Sequence, residues 1–217
     1  ILVAASPGGA LSNYYCHLAG LDTALSVVLT AASSVLAFFL MPAVLAISLP
    51  VIPERQNIEI NVLALVVRLL GMLVLPLVLG MLLRYRHAEA VEASARVVRR
   101  LSLVLVVALL ALIVLDQWST TQRIFPDAAW ISFLFTIGAA FLGWLSSLLM
   151  KMKSDQRYTT AVEFAVRNAG IAAVVAASSM GRPELAAFSA LFVVFQFPIV
   201  VGLLGLNHIR RQQPFAK

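Results

Sequence analysis

Apolar runs of about 20 residues recur along the whole chain, each long enough at about 1.5 Å of rise per residue to cross a hydrocarbon core roughly 30 Å thick. This feature dictates a helical membrane bundle. Of the 217 residues 61% are hydrophobic and 12% charged, and the mean hydropathy is +0.96, whereas a soluble domain carries about twice that charge. The formal charge of +6 does not point to nucleic acid, because the basic residues form short clusters between apolar runs, without a basic stripe or interleaved aromatics. The single cysteine, Cys16, excludes an internal disulfide, and with no CxxC or HExxH pattern the chain does not read as a metalloenzyme.

Hydropathy and helix breakers together predict spans near 1–19, 22–49, 57–84, 97–116, 128–150, 156–179 and 184–208. Arg84, Arg86, Arg96, Arg99 and Arg100 fall between the third and fourth spans. Lys151, Lys153 and Arg157 fall between the fifth and sixth, and Arg210, Arg211 and Lys217 in the tail. The alternate connections hold Arg55, Arg123 and Arg182, accompanied by Glu54, Asp127 and Glu184. The positive-inside rule then puts the C-terminus in the cytoplasm, in a bacterial inner membrane, and starts the seven crossings outside. Ile1 opens an apolar segment that has no charged leader and no cleavage site, so the chain is expected to begin within a larger protein.

Two places resist a plain bundle. Ser6-Pro7-Gly8-Gly9 interrupts the first span, since Pro lacks an N–H and two glycines lower helix stability. At membrane depth unwound backbone survives only against protein, water or a ligand, so the break points to a binding site. Ser12 and Asn13 follow it, and Ser26 and Thr30 share one face of the next helix at i and i+4. Hydroxyl and amide oxygens converging at one depth suit a hard cation such as Na⁺. Without the break, they would read as interhelical glue.

The second place is Glu163-Phe164-Ala165-Val166-Arg167-Asn168, about a third of the way into the sixth span. Each charge there costs at least about 2.5 kcal/mol on insertion scales and requires a cavity or a partner. If the backbone stays helical, Glu163 and Arg167 stand at i and i+4 and can pair as a structural ion pair. Both regions run from an Asn (Asn13, Asn168) through small residues and an acid (Asp22, Glu184) to a proline in a long apolar helix (Pro42, Pro198). One copy starts outside and the other inside, so the repeat is inverted.

At these residues the chain resembles the bile acid:sodium symporter family. Ser6 to Asn13, with Ala24-Leu25-Ser26-Val27 and Thr30, is similar to that family's broken fourth helix and its fifth. Glu163 to Asn168 resembles the E-x-x-x-Q-N segment of its broken ninth helix. The resemblance implies an all-α membrane protein with two inverted five-helix repeats and two broken crossing helices, of which this chain holds helices four to ten and lacks three. It divides the chain into the end of the first repeat over 1–50, panel-type helices over 51–127 and core-type helices over 128–217.

The resemblance further implies a first sodium site at Ser12, Asn13, Ser26, Thr30 and Glu163. It implies a second at Glu163, the carbonyls around Phe164 and Val166, the motif glutamine and a residue from a missing helix. Arg167 occupies the glutamine position. A guanidinium about 4 Å from Na⁺ repels it by about 4 kcal/mol at an effective dielectric of about 20, which argues against a second sodium. Either Arg167 stands in for that sodium as a permanent charge, or it neutralises Glu163 and the carrier becomes sodium-independent or proton-coupled. The first outcome is favoured because it leaves the first-site residues a purpose.

Asn13, Asn168, Arg167, Gln196 and Arg68 are the candidate contacts for a small organic anion, moved by alternating access with Na⁺ as coupling ion. No other cofactor, catalytic residue or obligate protein partner is expected beyond the lipid bilayer. Arg68 equally reads as reaching water or phosphate at a helix kink, and Gln196 as interhelical glue. His17 reads as a surface residue, Trp118, Trp130 and Trp144 as interfacial anchors near helix ends, and Phe192, Phe195 and Phe197 as packing. The rival reading from another class is a seven-helix receptor.

Overall fold

The computed structural model describes residues 1–48 and 62–212. Glu54, Arg55, the start of the third expected span and Lys217 lie outside the described residues. What is described is helical throughout, with one isolated antiparallel bridge and no strand among the described residues. The elements are α1 (Leu2–Ala5), α2 (Ala10–Leu18), α3 (Thr23–Ser48), α4 (Val62–Leu69), α5 (Leu75–Arg86), α6 (Ala88–Asp116), α7 (Trp118–Leu149), α8 (Ser154–Ala165), α9 (Ala169–Val174) and α10 (Ala186–Gln212). A π turn over Leu70–Val74 joins α4 to α5, and another over Val175–Ser179 extends α9.

Three unbroken stretches are long and apolar enough to cross a membrane, Thr23–Ser48, Trp118–Leu149 and Pro183–Gln212, and the bent pair Ala88–Val98 and Arg100–Asp116 adds a fourth. The remaining expected spans are tandem shorter helices: α1 with α2, α4 with α5, and α8 with α9. Large apolar side chains such as Val28, Phe39, Leu79, Leu112 and Leu142 cover the outside. Such a surface suits lipid or further helices, not water, and the chain is an integral membrane protein.

Two boundaries differ from the sequence expectation. α6 begins at Ala88, nine residues before the expected 97, because Ala88-Glu89-Ala90-Val91-Glu92-Ala93 is made of good helix formers whose charge does not stop a helix outside the apolar layer. α7 begins at Trp118 and runs through Pro126 for 32 residues, which a membrane helix tolerates when neighbours serve the freed carbonyl. Trp130 therefore stands twelve residues into α7 instead of near its end; it is exposed, as are Trp118 and Trp144.

Small residues set the closest packing. A Cβ at Gly143 of α7 would fall 2.6 Å from the Thr160 carbonyl oxygen and 2.9 Å from Phe164 Cβ, so α7 and α8 touch backbone to backbone there. α2 closes at Gly20, whose φ of +62° suits glycine, with Leu21 N–H donating to the Cys16 carbonyl at 2.9 Å. Cys16 is fully buried in a cluster with Tyr15, Val162, Val166 and Val200, which packs α2, α8 and α10 together. Among the expected packing aromatics, Phe192 stacks edge-on with Phe135, Phe195 with Phe125, and Phe197 against Tyr15.

Candidate functional site

The site begins where two helices stop. Pro7 forces Ser6 into extended geometry (φ −68°, ψ 154°), and Ser6 Oγ closes α1 by donating to the Val3 carbonyl at 2.7 Å. Gly9 is also extended and N-caps α2. On the other side α8 ends at Ala165, Val166 is extended, and Asn168 N-caps α9 through its Oδ1, which accepts from Ile171 N–H at 3.2 Å.

The two unwound stretches lie antiparallel and satisfy one another. Gly9 N–H donates to the Val166 carbonyl and Asn168 N–H to the Pro7 carbonyl, both at 2.9 Å, around the bridge that pairs Gly8 with Arg167. Backbone groups freed by each break thus find partners in the other, as a low-dielectric setting requires. Ser33 Oγ accepts from Gly8 N–H at 2.9 Å.

The glycines supply space as well as a break. A Cβ on Gly8 would stand 2.1 Å from Glu163 Oε1, and one on Gly9 3.0 Å from the Arg167 carbonyl oxygen. Side chains at these positions would hold the crossing open.

Glu163 sits at the centre, 4% exposed. Its Oε2 accepts from Ser12 Oγ at 2.5 Å and from Ser26 Oγ at 3.1 Å, and its Oε1 accepts from Thr30 Oγ1 at 2.7 Å. Asn13 Oδ1 lies 3.4 Å from Thr30 Oγ1, so the fifth expected ligand turns its oxygen toward the same cluster. The structure brings Ser12, Asn13, Ser26, Thr30 and Glu163 together from α2, α3 and α8. Two hydroxyls have alternative acceptors, the Gly9 carbonyl for Ser12 at 2.7 Å and the Ser26 carbonyl for Thr30 at 3.0 Å. Turning those protons away frees lone pairs and carboxylate oxygens together.

The expected helical pairing of Glu163 with Arg167 does not form. The break begins at Val166, which removes the i, i+4 geometry, and the ion pairs among the described residues are Arg182–Glu184, Arg210–Asp155 and Arg211–Asp155. Arg167 Nη1 reaches the Ser6 carbonyl oxygen at 3.4 Å, while its buried Nε has no partner. Val166 is buried with its carbonyl engaged by Gly9, and Phe164 is half-buried against Gly143.

Gln196 follows Phe192 and precedes Val200 by four residues on α10, and all three are at most 1% exposed. Phe192 packs with Ala169 and Val200 with Val166, so Gln196 faces the α9 break. Neither atom of its amide has a hydrogen-bond partner among the described residues.

Arg68 is not part of this cluster. Its Nη1 donates to Ser179 Oγ at 3.0 Å, at the far end of the π turn. Eleven helical residues separate Ser179 from Asn168, about 16 Å at the usual rise per residue. Arg68 stands two residues before the Leu70–Val74 π turn, so an irregularity of the helix does lie beside it. His17 is exposed.

Sequence reasoning missed Ser33. A signal was present, since Ser26, Thr30 and Ser33 stand at i, i+4 and i+7 and therefore share one helical face.

Fold and site together define an integral helical membrane protein with two discontinuous helices crossing beside a buried carboxylate and its hydroxyl donors. The chain belongs to the Sodium Bile acid symporter family, whose model matches residues 1–124. It is 26% identical over 183 residues to the probable sodium/metabolite cotransporter BASS1, chloroplastic, of Arabidopsis thaliana, covering 84% of this chain and 44% of that protein. It is 28% identical over 198 residues to the uncharacterized sodium-dependent transporter YocS of Bacillus subtilis (strain 168), covering 90% and 59%. The chain thus spans about half the length of these relatives, which are named as transporters and not as enzymes.

Proposed function

We propose that this chain is the ion-coupling part of a secondary transporter that moves a small organic anion together with Na⁺ by alternating access. The observation that carries the reading is the gathering of five oxygen-bearing side chains, Ser12, Asn13, Ser26, Thr30 and Glu163, at one buried point beside two helix breaks. One carboxylate with hydroxyl and amide oxygens matches the hard-ligand preference of an alkali cation and offsets its charge. The sodium-dependent names of the relatives support the same ion.

Na⁺ here is cargo. Held between α2, α3 and α8, it adds a shared ligand to elements that already pack on one another, and so favours one packing of the core over another. Substrate then lies at the break, contacted by Asn13, Asn168, Arg167 and Gln196, with Arg68 on the approach from the opposite end of the π turn. Inverted repeats, with panel-type helices over 51–127 and core-type helices over 128–217, supply the two bodies that rock. Cationic clusters at Arg84–Arg86, Lys151–Lys153 and Arg210–Arg211 put the ends of α5, α7 and α10 on the cytoplasmic side of a bacterial inner membrane.

The test is uptake of a panel of labelled organic anions by proteoliposomes containing the intact protein, with and without an inward Na⁺ gradient. Na⁺-stimulated uptake that Glu163→Gln abolishes is expected. Uptake unaffected by Na⁺ across the panel, with no Na⁺ binding to the purified protein, would overturn the reading.

A further inference from the structure

We propose that Arg167 is a built-in cation of the crossing, so that the site described above holds one Na⁺ per chain and no more. The inference rests on the Na⁺ reading of Glu163 and adds the stoichiometry and the charge of the partner anion.

Glu163 is the one acidic or basic side chain in the buried class among the described residues. Arg167 stands four residues on, in the paired break, with its Nε enclosed and unpartnered and, among the described residues, no carboxylate within ion-pair distance. Its placement is fixed by backbone, because the Gly8 bridge and the Gly9 and Asn168 hydrogen bonds hold residues 166–168 on both sides of it. Nη1 leans on the Ser6 carbonyl, in the partner break. A guanidinium stays charged in any protein environment, so this position carries a permanent positive charge without an ion having to bind.

Charge arithmetic follows. With Glu163 ionised, the empty crossing holds one negative and one positive charge and sums to zero. A single Na⁺ brings it to +1, and a second would bring it to +2 at a depth where uncompensated charge is expensive. A singly charged anion returns the sum to zero. Empty and fully loaded crossings are both neutral, while Na⁺ alone and anion alone leave an unbalanced charge; coupling between the two cargoes arises from that difference. Had Arg167 paired directly with Glu163, the carboxylate would be spent and this scheme would fail. The unwound backbone between them keeps the two charges separate, and the hydroxyls of Ser12, Ser26 and Thr30, instead of the guanidinium, meet the carboxylate.

The test uses the intact protein in lipid nanodiscs with ²²Na⁺ as the probe, in the absence of any anion cargo. Saturation at one Na⁺ per wild-type chain is expected. Arg167→Gln removes the repulsion and should bind Na⁺ on the order of 10-fold more tightly or admit a second ion, the size expected for a unit charge about 10 Å away at an effective dielectric of about 20. Arg167→Lys keeps the charge and should keep the wild-type stoichiometry. Two Na⁺ per wild-type chain, or an Arg167→Gln affinity within about 2-fold of wild type, overturns the inference and leaves the Glu163 site standing. No Na⁺ binding to wild type overturns both. The wild-type stoichiometry requires no variant to fold.

Discussion

Ser12 Oγ donates to Glu163 Oε2 at 2.5 Å across 151 residues of sequence, joining α2 to α8 through one buried hydrogen bond. As an ion ligand Ser12 Oγ turns its proton to the Gly9 carbonyl and offers a lone pair, so Ser12→Ala removes one oxygen ligand and should weaken Na⁺ binding on the order of 10-fold. Thr30→Val, nearly isosteric, should do the same, and Thr30→Ser should stay near wild type. Na⁺ titrations of the purified protein read the series directly. Loss in Thr30→Ser with Thr30→Val near wild type would assign the effect to the methyl group and its packing, and the oxygen would then be no ligand.

Gly8 offers a steric test of the crossing. Alanine there would put a methyl carbon 2.1 Å from Glu163 Oε1, closer than any real contact, so either the carboxylate turns away or the breaks part. Loss of Na⁺ binding with helical circular dichroism intact is expected for Gly8→Ala. Gly202→Ala in α10 is the control, since a Cβ there meets nothing within 4 Å and helix propensity favours alanine by up to about 1 kcal/mol. Wild-type Na⁺ affinity in Gly8→Ala would mean that the carboxylate is not held where the structure puts it.

The membrane bundle and the first break were legible because hydrophobic length and the Pro7-Gly8-Gly9 run are local signals. The five oxygen-bearing residues were legible as types and faces, Ser26 and Thr30 by helical spacing, Ser12 and Asn13 by adjacency to the break, Glu163 as a charge within an apolar span. What sequence could not show is that the second break starts at Val166. No proline or glycine marks Ala165-Val166-Arg167, and the stretch unwinds because its carbonyl and N–H groups have partners across the crossing, a tertiary effect outweighing propensity. For the same reason an i, i+4 Glu163–Arg167 pair looked available and is not. α6 and α7 were misplaced at their starts because charge was read as loop, although charged residues extend a helix freely beyond the apolar layer.

Gln196 separates stability from function. Its amide is fully buried and neither polar atom is partnered, an arrangement that costs about 1–3 kcal/mol relative to an apolar side chain of similar size. Gln196→Leu should therefore unfold at a higher temperature in detergent while losing Na⁺-stimulated anion uptake. A variant less stable than wild type would show that the amide is already satisfied, and its assignment to the cargo surface would fall.

At one end of the bundle Asp155 accepts from Arg210 Nη2 at 2.7 Å and Arg211 Nη2 at 3.2 Å, joining the start of α8 to the end of α10. Arg211 also donates to the Gly20 carbonyl at 2.8 Å, so the α2–α3 turn is tied to the same end. These side chains are 36–49% exposed, which keeps each ion pair below about 1 kcal/mol and open to screening. Asp155→Asn should lower thermal stability by no more than about 1 kcal/mol at low ionic strength, and the difference should vanish at about 1 M salt. Choline chloride is the salt to use, since Na⁺ would act at Glu163 as well. Arg210→Ala should cost more and keep part of its penalty at high salt, because it also loses the Asn207 hydrogen bond and the contact over the Tyr158 ring, 5.4 Å from guanidinium to centroid. If Asp155→Asn retains its full penalty at high salt, the contact acts through packing or hydrogen bonding and charge is not what holds these ends together.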